Sequence, residues 1–299
     1  MVPPVIRPGV SPPSHRGRHG AGRVVPVSGE VGSRAAAPAL PAVWVLHGQP
    51  DSSATWWPTR RALLDALAAR GRPAPPVRLL DRPGYGHNLR PATDFAGNVR
   101  WLREELDRAG LERVVLVGHS WGGGVALLAA ARDERVAGVG LLASVGPDCL
   151  LPADRLFEVP GIGGPMAWTA LGPGAALWRR WLRRRIRERL DPADLPHARS
   201  AARADRTRAI WRSFAVEQQA LLRELDDIVA ALPSVRVPAL VVAGEHDRVI
   251  PPATPDALAA ALPDATRVDL PTGHDVNLSA PDLLGSALAD WLTGRTWSR

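Results

Sequence analysis

The sequence predicts an α/β fold, with a mostly parallel sheet, helices on both faces and an inserted helical cap. From about residue 42, short apolar runs rich in Val and Leu alternate with Ala- and Leu-rich segments of helical period. This alternation is typical of a parallel sheet whose strands are joined by helices. Residues 149–234 interrupt it, because they contain no convincing strand. An insertion of this size predicts a helical cap over the carboxyl ends of the strands, where open α/β sheets bind ligands.

Six short segments are predicted to be strands, because Val, Leu and Ala dominate them. They are residues 42–48, 77–81, 113–118, 136–144, 239–247 and 266–271. Four longer segments with apolar residues at helical spacing are predicted to be helices. They are residues 60–70, 95–110, 120–133 and 281–292.

The length of the chain fits one domain with one insertion. With 299 residues, 45% of them hydrophobic, it can bury a sizeable core. We predict that residues 23–148 and 235–299 form the core and that residues 149–234 form the cap. Residues 1–22 are rich in Pro, Gly and Arg and are expected to be a disordered tail, followed by a candidate strand or hairpin at residues 23–31.

The net charge of +7 and the isoelectric point near 11.1 would by themselves favour a nucleic-acid partner. However, all 37 basic residues are Arg, and Ala and Pro are abundant too, a composition typical of a GC-rich genome. No zinc-finger or RNA-binding signature accompanies the charge. We therefore expect no nucleic-acid partner.

The sequence also predicts the cellular location of the protein and the role of its cysteine. No apolar run approaches the roughly 20 residues that span a bilayer, and the first residues lack the apolar stretch of a signal peptide, so we expect a cytoplasmic protein. Cys149 is the only cysteine, which excludes an intrachain disulfide and a cysteine zinc cluster. It is expected to be a small, partly buried thiol.

An Arg-rich segment of the insertion, residues 177–190, carries one apolar stripe at helical spacing. The stripe consists of Trp178, Leu182, Ile186 and Leu190. The simpler interpretation is a cap helix that packs this stripe on the core while its Arg side chains face water. The alternative is peripheral contact with an anionic membrane or an acidic partner.

The segment LVGHSWGGG, residues 116–124, joins a predicted strand to a predicted helix. Ser120 lies between Gly118 and Gly122, in the G-x-S-x-G spacing of a nucleophile elbow. Glycines at these positions permit a tight, strained turn that exposes the serine hydroxyl above the sheet. The strand, turn and helix together predict that Ser120 is a nucleophile.

Around this elbow the chain resembles the α/β-hydrolase family, from about residue 42 to residue 292. The segment HGQPDSSATWW, residues 47–57, resembles the oxyanion loop of the family, and DRPGYG, residues 81–86, resembles its turn after the next strand. GEHDRVIP, residues 244–251, resembles the acid loop, and PTGHDVN, residues 271–277, resembles the base loop. The order Ser, Asp, His along the chain is the order that this fold uses.

The resemblance implies a role for each of these positions. Ser120 is expected to be the nucleophile, His274 its general base and Asp247 the carboxylate that orients the imidazole. Asp148 is an alternative acid, since some family members place it one strand earlier. The oxyanion is expected to bind the backbone N–H groups of Trp121 and Gln49.

Other polar residues near these loops are expected to have supporting roles. His47 and Gly48 are expected to order the oxyanion loop, and Gly118 and Gly122 to permit the elbow. His119 is expected to pack behind the nucleophile. Three carboxylates are expected to cap turns: Asp51, Asp81 and Asp275. No role is assigned to His87 or His246. The histidines and acids show no metal-ligand spacing and no phosphate-binding glycine loop is present, so no metal and no cofactor are expected.

The expected function is therefore that of a serine hydrolase, a carboxylesterase-like enzyme that cleaves an ester-like bond of a small, hydrophobic substrate through an acyl-enzyme. Haloalkane dehalogenases and epoxide hydrolases of this fold attack with an aspartate in the elbow, so their chemistry is not expected at Ser120.

Four alternatives use the same fold: a carbon–carbon bond hydrolase, a perhydrolase, an iminopeptidase and a small-molecule receptor without turnover. The iminopeptidase is disfavoured because its usual extra glycine after His-Gly is Gln49 here. The sequence does not set the oligomeric state.

Overall fold

A computed structural model describes residues 39–171 and 210–297 of the chain. Between these ranges it also describes seven single residues: Arg184, Glu188, Pro192, Asp194, Pro196, Arg199 and Ser200. The predicted tail at residues 1–22 and the candidate strand at residues 23–31 lie outside the described residues. So does the Arg-rich segment at residues 177–190, apart from Arg184 and Glu188.

Six parallel strands form one sheet, in the order β2-β1-β3-β4-β5-β6. They are β1 (Ala42–Leu46), β2 (Val77–Leu80), β3 (Val114–His119), β4 (Val136–Leu142), β5 (Ala239–Gly244) and β6 (Ala265–Leu270). The first and last residues of each strand lie within three residues of the predicted ones. The prediction of a parallel sheet is confirmed. Because all strands run the same way, their carboxyl ends meet at one edge of the sheet.

Eight helices connect or flank the strands in the described part of the chain. They are α1 (Trp57–Ala69), α2 (Phe95–Ala109), α3 (Trp121–Ala130), α4 (Gly163–Leu171), α5 (Ile210–Ala231), α6 (Ala253–Ala261), α7 (Val276–Ser279) and α8 (Pro281–Thr293). Among the described residues no helix is long and apolar enough to cross a membrane. Helix α1 begins three residues before the predicted start, with Pro58 in its first turn, where a missing N–H costs nothing. Helix α3 begins one residue later than predicted, because Ser120 has a positive φ and is not helical.

The long insertion between β4 and β5 is helical where the structure describes it. Within residues 149–171 and 210–234 it contains a 3₁₀ segment (Pro152–Glu158), α4, α5 and a second 3₁₀ segment (Leu232–Ser234), and no strand. The predicted helical insertion is therefore confirmed for residues 149–171 and 210–234. Helix α5 packs on α4 and also on α2 and α3 of the core, so it links the insertion to the sheet.

Two apolar clusters cover the two faces of the sheet, and alternate residues of each strand belong to different clusters, as the pleat requires. Val43, Val45, Val115 and Val117 pack with residues of α1 and α8 on one face. Trp44, Leu46 and Leu116 pack with residues of α2, α3 and α5 on the other face. The helices on both faces confirm the predicted layers and hold the carboxyl edge of the sheet in place.

The close packing at the start of α3 gives a prediction about Gly122. A Cβ atom at this position would lie 2.5 Å from the carbonyl oxygens of both Leu46 and His47, and neither backbone group can move without shifting β1. We expect Gly122→Ala to lower the free energy of unfolding by about 3 kcal/mol, as overpacking of a rigid core does. The measurement is the urea midpoint of purified protein.

Gly164→Ala is the matched control, because nothing lies within 4 Å of a Cβ atom there and Gly164 is helical. This variant is expected to be as stable as the wild type or up to about 1 kcal/mol more stable. Equal urea midpoints for Gly122→Ala and the wild type would contradict the prediction.

Candidate active site

Ser120 occupies a strained turn between β3 and α3. Its backbone has φ 51° and ψ −119°, a conformation that costs energy for a residue with a side chain. The turn is held by the N–H of Ser120, which donates to Leu142 O at 2.9 Å, and by the N–H of Gly123, which donates to Ser120 O at 2.9 Å. The strain is thus fixed by the sheet and by the first turn of α3, as in a nucleophile elbow.

The loop at residues 47–49, which follows β1, lies directly against this turn. A Cβ atom on Gly48 would lie 3.0 Å from Ser120 Cβ and 2.8 Å from His119 Nδ1. Only a residue without a side chain permits so close an approach. The structure therefore brings the predicted oxyanion loop and the predicted nucleophile together.

His274 and Asp247 meet at the same edge, on the loops that follow β6 and β5. His274 Nδ1 lies 2.9 Å from Asp247 Oδ2, and Asp247 Oδ1 accepts the N–H groups of Val249 and Ile250 at 2.7 and 3.0 Å. Burial raises the pKa of Asp247, but the hydrogen bond and charge of His274 and these two N–H groups outweigh it, so the net pKa is below the ordinary value. The carboxylate can only accept, which makes His274 Nδ1 the donor and leaves Nε2 as the basic nitrogen.

Asp148, the alternative acid, lies apart from this pair. It is exposed in the turn after β4, with φ 58°. Within the described part of the chain, the carboxylate hydrogen-bonded to His274 is that of Asp247. The geometry therefore favours Asp247 over Asp148 as the partner of the imidazole.

His119 packs behind the base loop. Its Nε2 lies 3.0 Å from the carbonyl oxygen of His274, and the two rings are 4.9 Å apart between centroids. A carbonyl oxygen only accepts, so Nε2 carries the proton and Nδ1 is a buried acceptor without a partner among the described residues. Burial, followed by the charge of His274, lowers the pKa of His119 to about 3. His119 is therefore neutral near pH 7. Because it directly precedes Ser120 in the chain, its hydrogen bond to His274 O links the base loop to the turn that carries Ser120.

Of the three carboxylates predicted to cap turns, Asp81 does so by accepting backbone N–H groups, whereas the contact of Asp51 is with a side-chain hydroxyl. Asp51 accepts the hydroxyl of Thr55 at 2.7 Å, and Asp81 accepts the N–H groups of Ser53 and His87 at 2.8 and 2.9 Å. The prediction for Asp275 is wrong, because its side chain makes no capping hydrogen bond although it stands before α7. It is instead partly buried next to His274, and this burial raises its pKa.

The two histidines without an assigned role are both exposed. His246 follows β5, and its backbone N–H donates to Thr272 O at 2.8 Å. His87 Nδ1 lies 3.2 Å from Asp81 Oδ2, and Nε2 lies 2.9 Å from the hydroxyl of Ser200.

Sequence reasoning missed a buried polar cluster beneath the oxyanion loop. Arg82 and Glu217 form an ion pair with both side chains fully buried, and Tyr85 donates its hydroxyl proton to Glu217 Oε2 at 2.8 Å. Arg82 also donates through Nε to His47 O and through Nη2 to Gly48 O, each at 2.8 Å. The DRPGYG segment marked the position of Arg82, but no spacing signal indicated a partner 135 residues later on α5.

The tautomer of His47 follows from the same cluster. The backbone N–H of Arg82 donates to His47 Nε2 at 3.0 Å, so the proton is on Nδ1, which donates to Gly48 O at 2.7 Å. Burial, followed by the charge of Arg82, lowers the pKa of His47 well below its ordinary value. A neutral imidazole with a defined tautomer thus braces the loop.

The side chain of Gln49 is held by a second residue of α5. Asp154 can only accept, so it takes the amide N–H of Gln218 at 2.9 Å, and Gln218 then presents its oxygen to the amide N–H of Gln49 at 2.7 Å. This relay fixes the orientation of both amides. Gln49 Oε1 is left as a buried acceptor without a partner among the described residues.

Cys149 is a free and buried cysteine. Burial raises the pKa of the Cys149 thiol to about 11, so it is protonated near neutral pH. Among the described residues no group of three or more His, Cys, Asp or Glu side chains is arranged to hold a metal ion.

The buried, neutral His119 gives a pH prediction for stability. Its pKa is about 3 in the folded chain against 6.5 for an unperturbed histidine, so between these values the unfolded state binds the additional proton. The contribution of neutral His119 to the free energy of unfolding is therefore fully present above pH 6.5. It falls as the pH falls, by up to about 1.4 kcal/mol per pH unit. We expect His119→Gln to reduce this dependence, measured as the free energy of unfolding in urea at pH 7.5, 6 and 5.

The exposed His87 provides the control, since His87→Gln is expected to keep the pH dependence of the wild type. If His119→Gln and the wild type lose equal stability between pH 7.5 and pH 5, His119 is not the neutral buried group inferred here.

The chain is similar in sequence to a known protein family and to several known proteins. The model of the alpha/beta hydrolase family matches residues 43–287. A pimeloyl-[acyl-carrier protein] methyl ester esterase of Xanthomonas oryzae is 30% identical over 253 residues, covering 83% of this chain and 93% of the relative. A haloalkane dehalogenase of Mesorhizobium japonicum is 28% identical over 274 residues, covering 84% of each chain.

A solved structure shares the fold. The thermophilic esterase of Thermogutta terrifontis superposes with a TM-score of 0.63, at 22% identity, over 85% of this chain and 90% of the esterase. Because the family model spans most of the sequence and the fold agrees with it, the chain belongs to the alpha/beta hydrolase family.

Proposed function

We propose that this protein is a serine hydrolase that cleaves an ester-like bond through an acyl-enzyme. The observation that carries the proposal is the 2.9 Å hydrogen bond between His274 Nδ1 and Asp247 at the sheet edge where Ser120 occupies its strained turn. A serine hydroxyl is a weak nucleophile on its own, and an oriented imidazole makes it reactive. Asp247 keeps the Nδ1–H tautomer and stabilises the imidazolium that forms.

The first half of the reaction transfers the acyl group to Ser120. His274 Nε2 takes the hydroxyl proton as Ser120 Oγ attacks the carbonyl carbon, and a tetrahedral intermediate forms. The bond to the leaving alkoxide then breaks, and the alkoxide takes the proton from His274. In the second half, His274 removes a proton from water, the resulting hydroxide attacks the acyl carbonyl, and Ser120 leaves with the proton.

The negative oxygen of each tetrahedral intermediate needs donors already in place. We propose the backbone N–H groups of Trp121 and Gln49. The N–H of Trp121 is the first of α3, where unpaired N–H groups and the helix dipole both favour an anion. The N–H of Gln49 belongs to the loop that lies against Ser120, with His47 and Gly48 as its support.

Serine in the elbow favours hydrolysis at a carbonyl over dehalogenation, although one relative is a haloalkane dehalogenase. An aspartate that displaces a halide forms an ester, whose carbonyl water can attack. A serine that displaced a halide would form an ether, which an activated water does not open, so the enzyme would stop after one event. Ser120 therefore fits a substrate with an ester-like carbonyl group. An ester is also the substrate class in the name of the similar pimeloyl-[acyl-carrier protein] methyl ester esterase.

We propose that the helical insertion acts as a cap over this site. Its α5 supplies Glu217 and Gln218, which contact the side chains of Arg82 and Gln49 beside the catalytic edge. The apolar residues of the insertion favour a small, hydrophobic acyl group, because burial of such a group stabilises the complex.

The first test of this function is the variant Ser120→Ala. We expect the wild type to hydrolyse p-nitrophenyl esters between acetate and decanoate and to react with a fluorophosphonate probe. In Ser120→Ala, kcat is expected to fall by about 10⁴-fold or more and labelling to disappear, because no nucleophile remains. A wild type that neither turns over nor labels would contradict the proposal and favour a receptor without turnover.

A second test separates the two candidate acids. We expect Asp247→Asn to lower kcat by about 10³–10⁴-fold, because an amide at this position favours the wrong tautomer of His274. Asp148→Asn is the matched control and is expected to keep kcat within about twofold of the wild type, since Asp148 is exposed and outside the pair. Steady-state kinetics on one ester measures both. A greater loss in Asp148→Asn than in Asp247→Asn would reverse the assignment.

A further inference from the structure

We propose that Arg82 and Glu217 are positioning residues that couple the helical insertion to the oxyanion site. Arg82 holds the backbone of residues 47–49, and Glu217 on α5 holds Arg82. The oxyanion site of Ser120 is then complete only while α5 is docked on the core. This inference rests on the proposed function, since it concerns the N–H groups that serve that reaction.

The hydrogen bond from Arg82 to Gly48 O sets the direction of the Gln49 N–H. The carbonyl of Gly48 and the N–H of Gln49 belong to one planar peptide group, in which they point in opposite directions when the peptide is trans. Arg82 Nη2 donates to Gly48 O at 2.8 Å, and His47 Nδ1 donates to the same oxygen at 2.7 Å. Because two donors hold the carbonyl oxygen of Gly48, the N–H of Gln49 points away from Arg82 and His47.

The guanidinium is itself fixed on all sides. It bonds His47 O, Gly48 O and both carboxylate oxygens of Glu217, and it lies over the ring of Trp121 at 4.5 Å from the centroid. Arg82 is fully buried and remains charged in proteins, so it requires a counter-ion at this place. Among the described residues the carboxylate that ion-pairs with it is that of Glu217. The loop geometry thus depends on a charge carried by the insertion.

The same turn of α5 also contacts the second proposed donor. Glu217 accepts the indole N–H of Trp121 through its backbone oxygen at 3.1 Å, and its neighbour Gln218 accepts the amide N–H of Gln49 at 2.7 Å. Both residues whose N–H groups are proposed for the oxyanion are therefore held by consecutive residues of one helix. Undocking α5 would release both at once.

The test is Glu217→Gln, which keeps the shape of the side chain and removes its charge. Glu224→Gln is the matched control, because Glu224 lies two turns along on α5 and bonds the N–H of Phe95, away from the loop. We measure kcat and KM on one p-nitrophenyl ester, the rate of fluorophosphonate labelling, and hydrogen–deuterium exchange of the peptide that spans residues 43–52.

For Glu217→Gln we expect kcat and the labelling rate to fall by about 10–100-fold, part of the ~10²–10³ that one oxyanion donor contributes, with KM within about threefold. Exchange in residues 43–52 is expected to become faster. Glu224→Gln is expected to match the wild type in all three. A Glu217→Gln variant that loses only thermal stability, or only raises KM, would overturn the inference.

Two further outcomes are separable. If the wild type is inactive, the proposed function fails, and the exchange measurement alone decides the coupling: faster loop exchange in Glu217→Gln supports it, and unchanged exchange overturns it.

If Glu217→Gln does not fold, Tyr85→Phe is the second variant, because it removes a single hydrogen bond to Glu217 and keeps the ion pair. It is expected to lower kcat by about threefold at constant KM, as loss of one neutral hydrogen bond does, and unchanged kcat and exchange would overturn the inference.

Discussion

The catalytic edge of the molecule depends on one buried ion pair. A guanidinium with no access to water must be neutralised and must place its N–H groups on acceptors. Arg82 satisfies both requirements by binding Glu217 of the insertion and the carbonyl groups of the loop after β1. Three segments that are distant in the sequence are therefore fixed by one side chain. Removal of either partner would leave an uncompensated charge in the interior, which is strongly destabilising.

The two buried histidines near the site have a related role. His47 and His119 are both held neutral by burial, and each uses its one N–H to donate to a backbone carbonyl, of Gly48 and His274 respectively. Neither competes with His274 for a proton near pH 7. They position the two loops on either side of Ser120, and of these three imidazoles the one hydrogen-bonded to a carboxylate among the described residues is that of His274.

The sequence predicted the sheet and the elements around Ser120 well, because local patterns decide them. Short continuous apolar runs mark the buried strands of a parallel sheet, and a strand followed by G-x-S-x-G and a helix leaves few alternatives for the backbone. The prediction for Asp275 failed because capping depends on the rotamer and on burial, which the sequence does not show. Glu217 and Gln218 were missed for a similar reason. On a helix such as α5, which has charged residues along its length, a charged residue normally faces water, and nothing local marks one that is buried.

By itself the sequence determined the fold class, the family, the helical insertion and the candidate residues Ser120 and His274, since each depends on patterns within a few residues. The sequence favoured Asp247 and kept Asp148 as the alternative, since both acids follow parallel strands. The tertiary structure adds the contact itself: among the described residues, the carboxylate 2.9 Å from His274 Nδ1 is that of Asp247, on the loop after β5. It alone revealed the pairing of Arg82 with Glu217. That contact joins residues 135 positions apart, and it forms because a buried charge needs an opposite charge wherever the fold provides one.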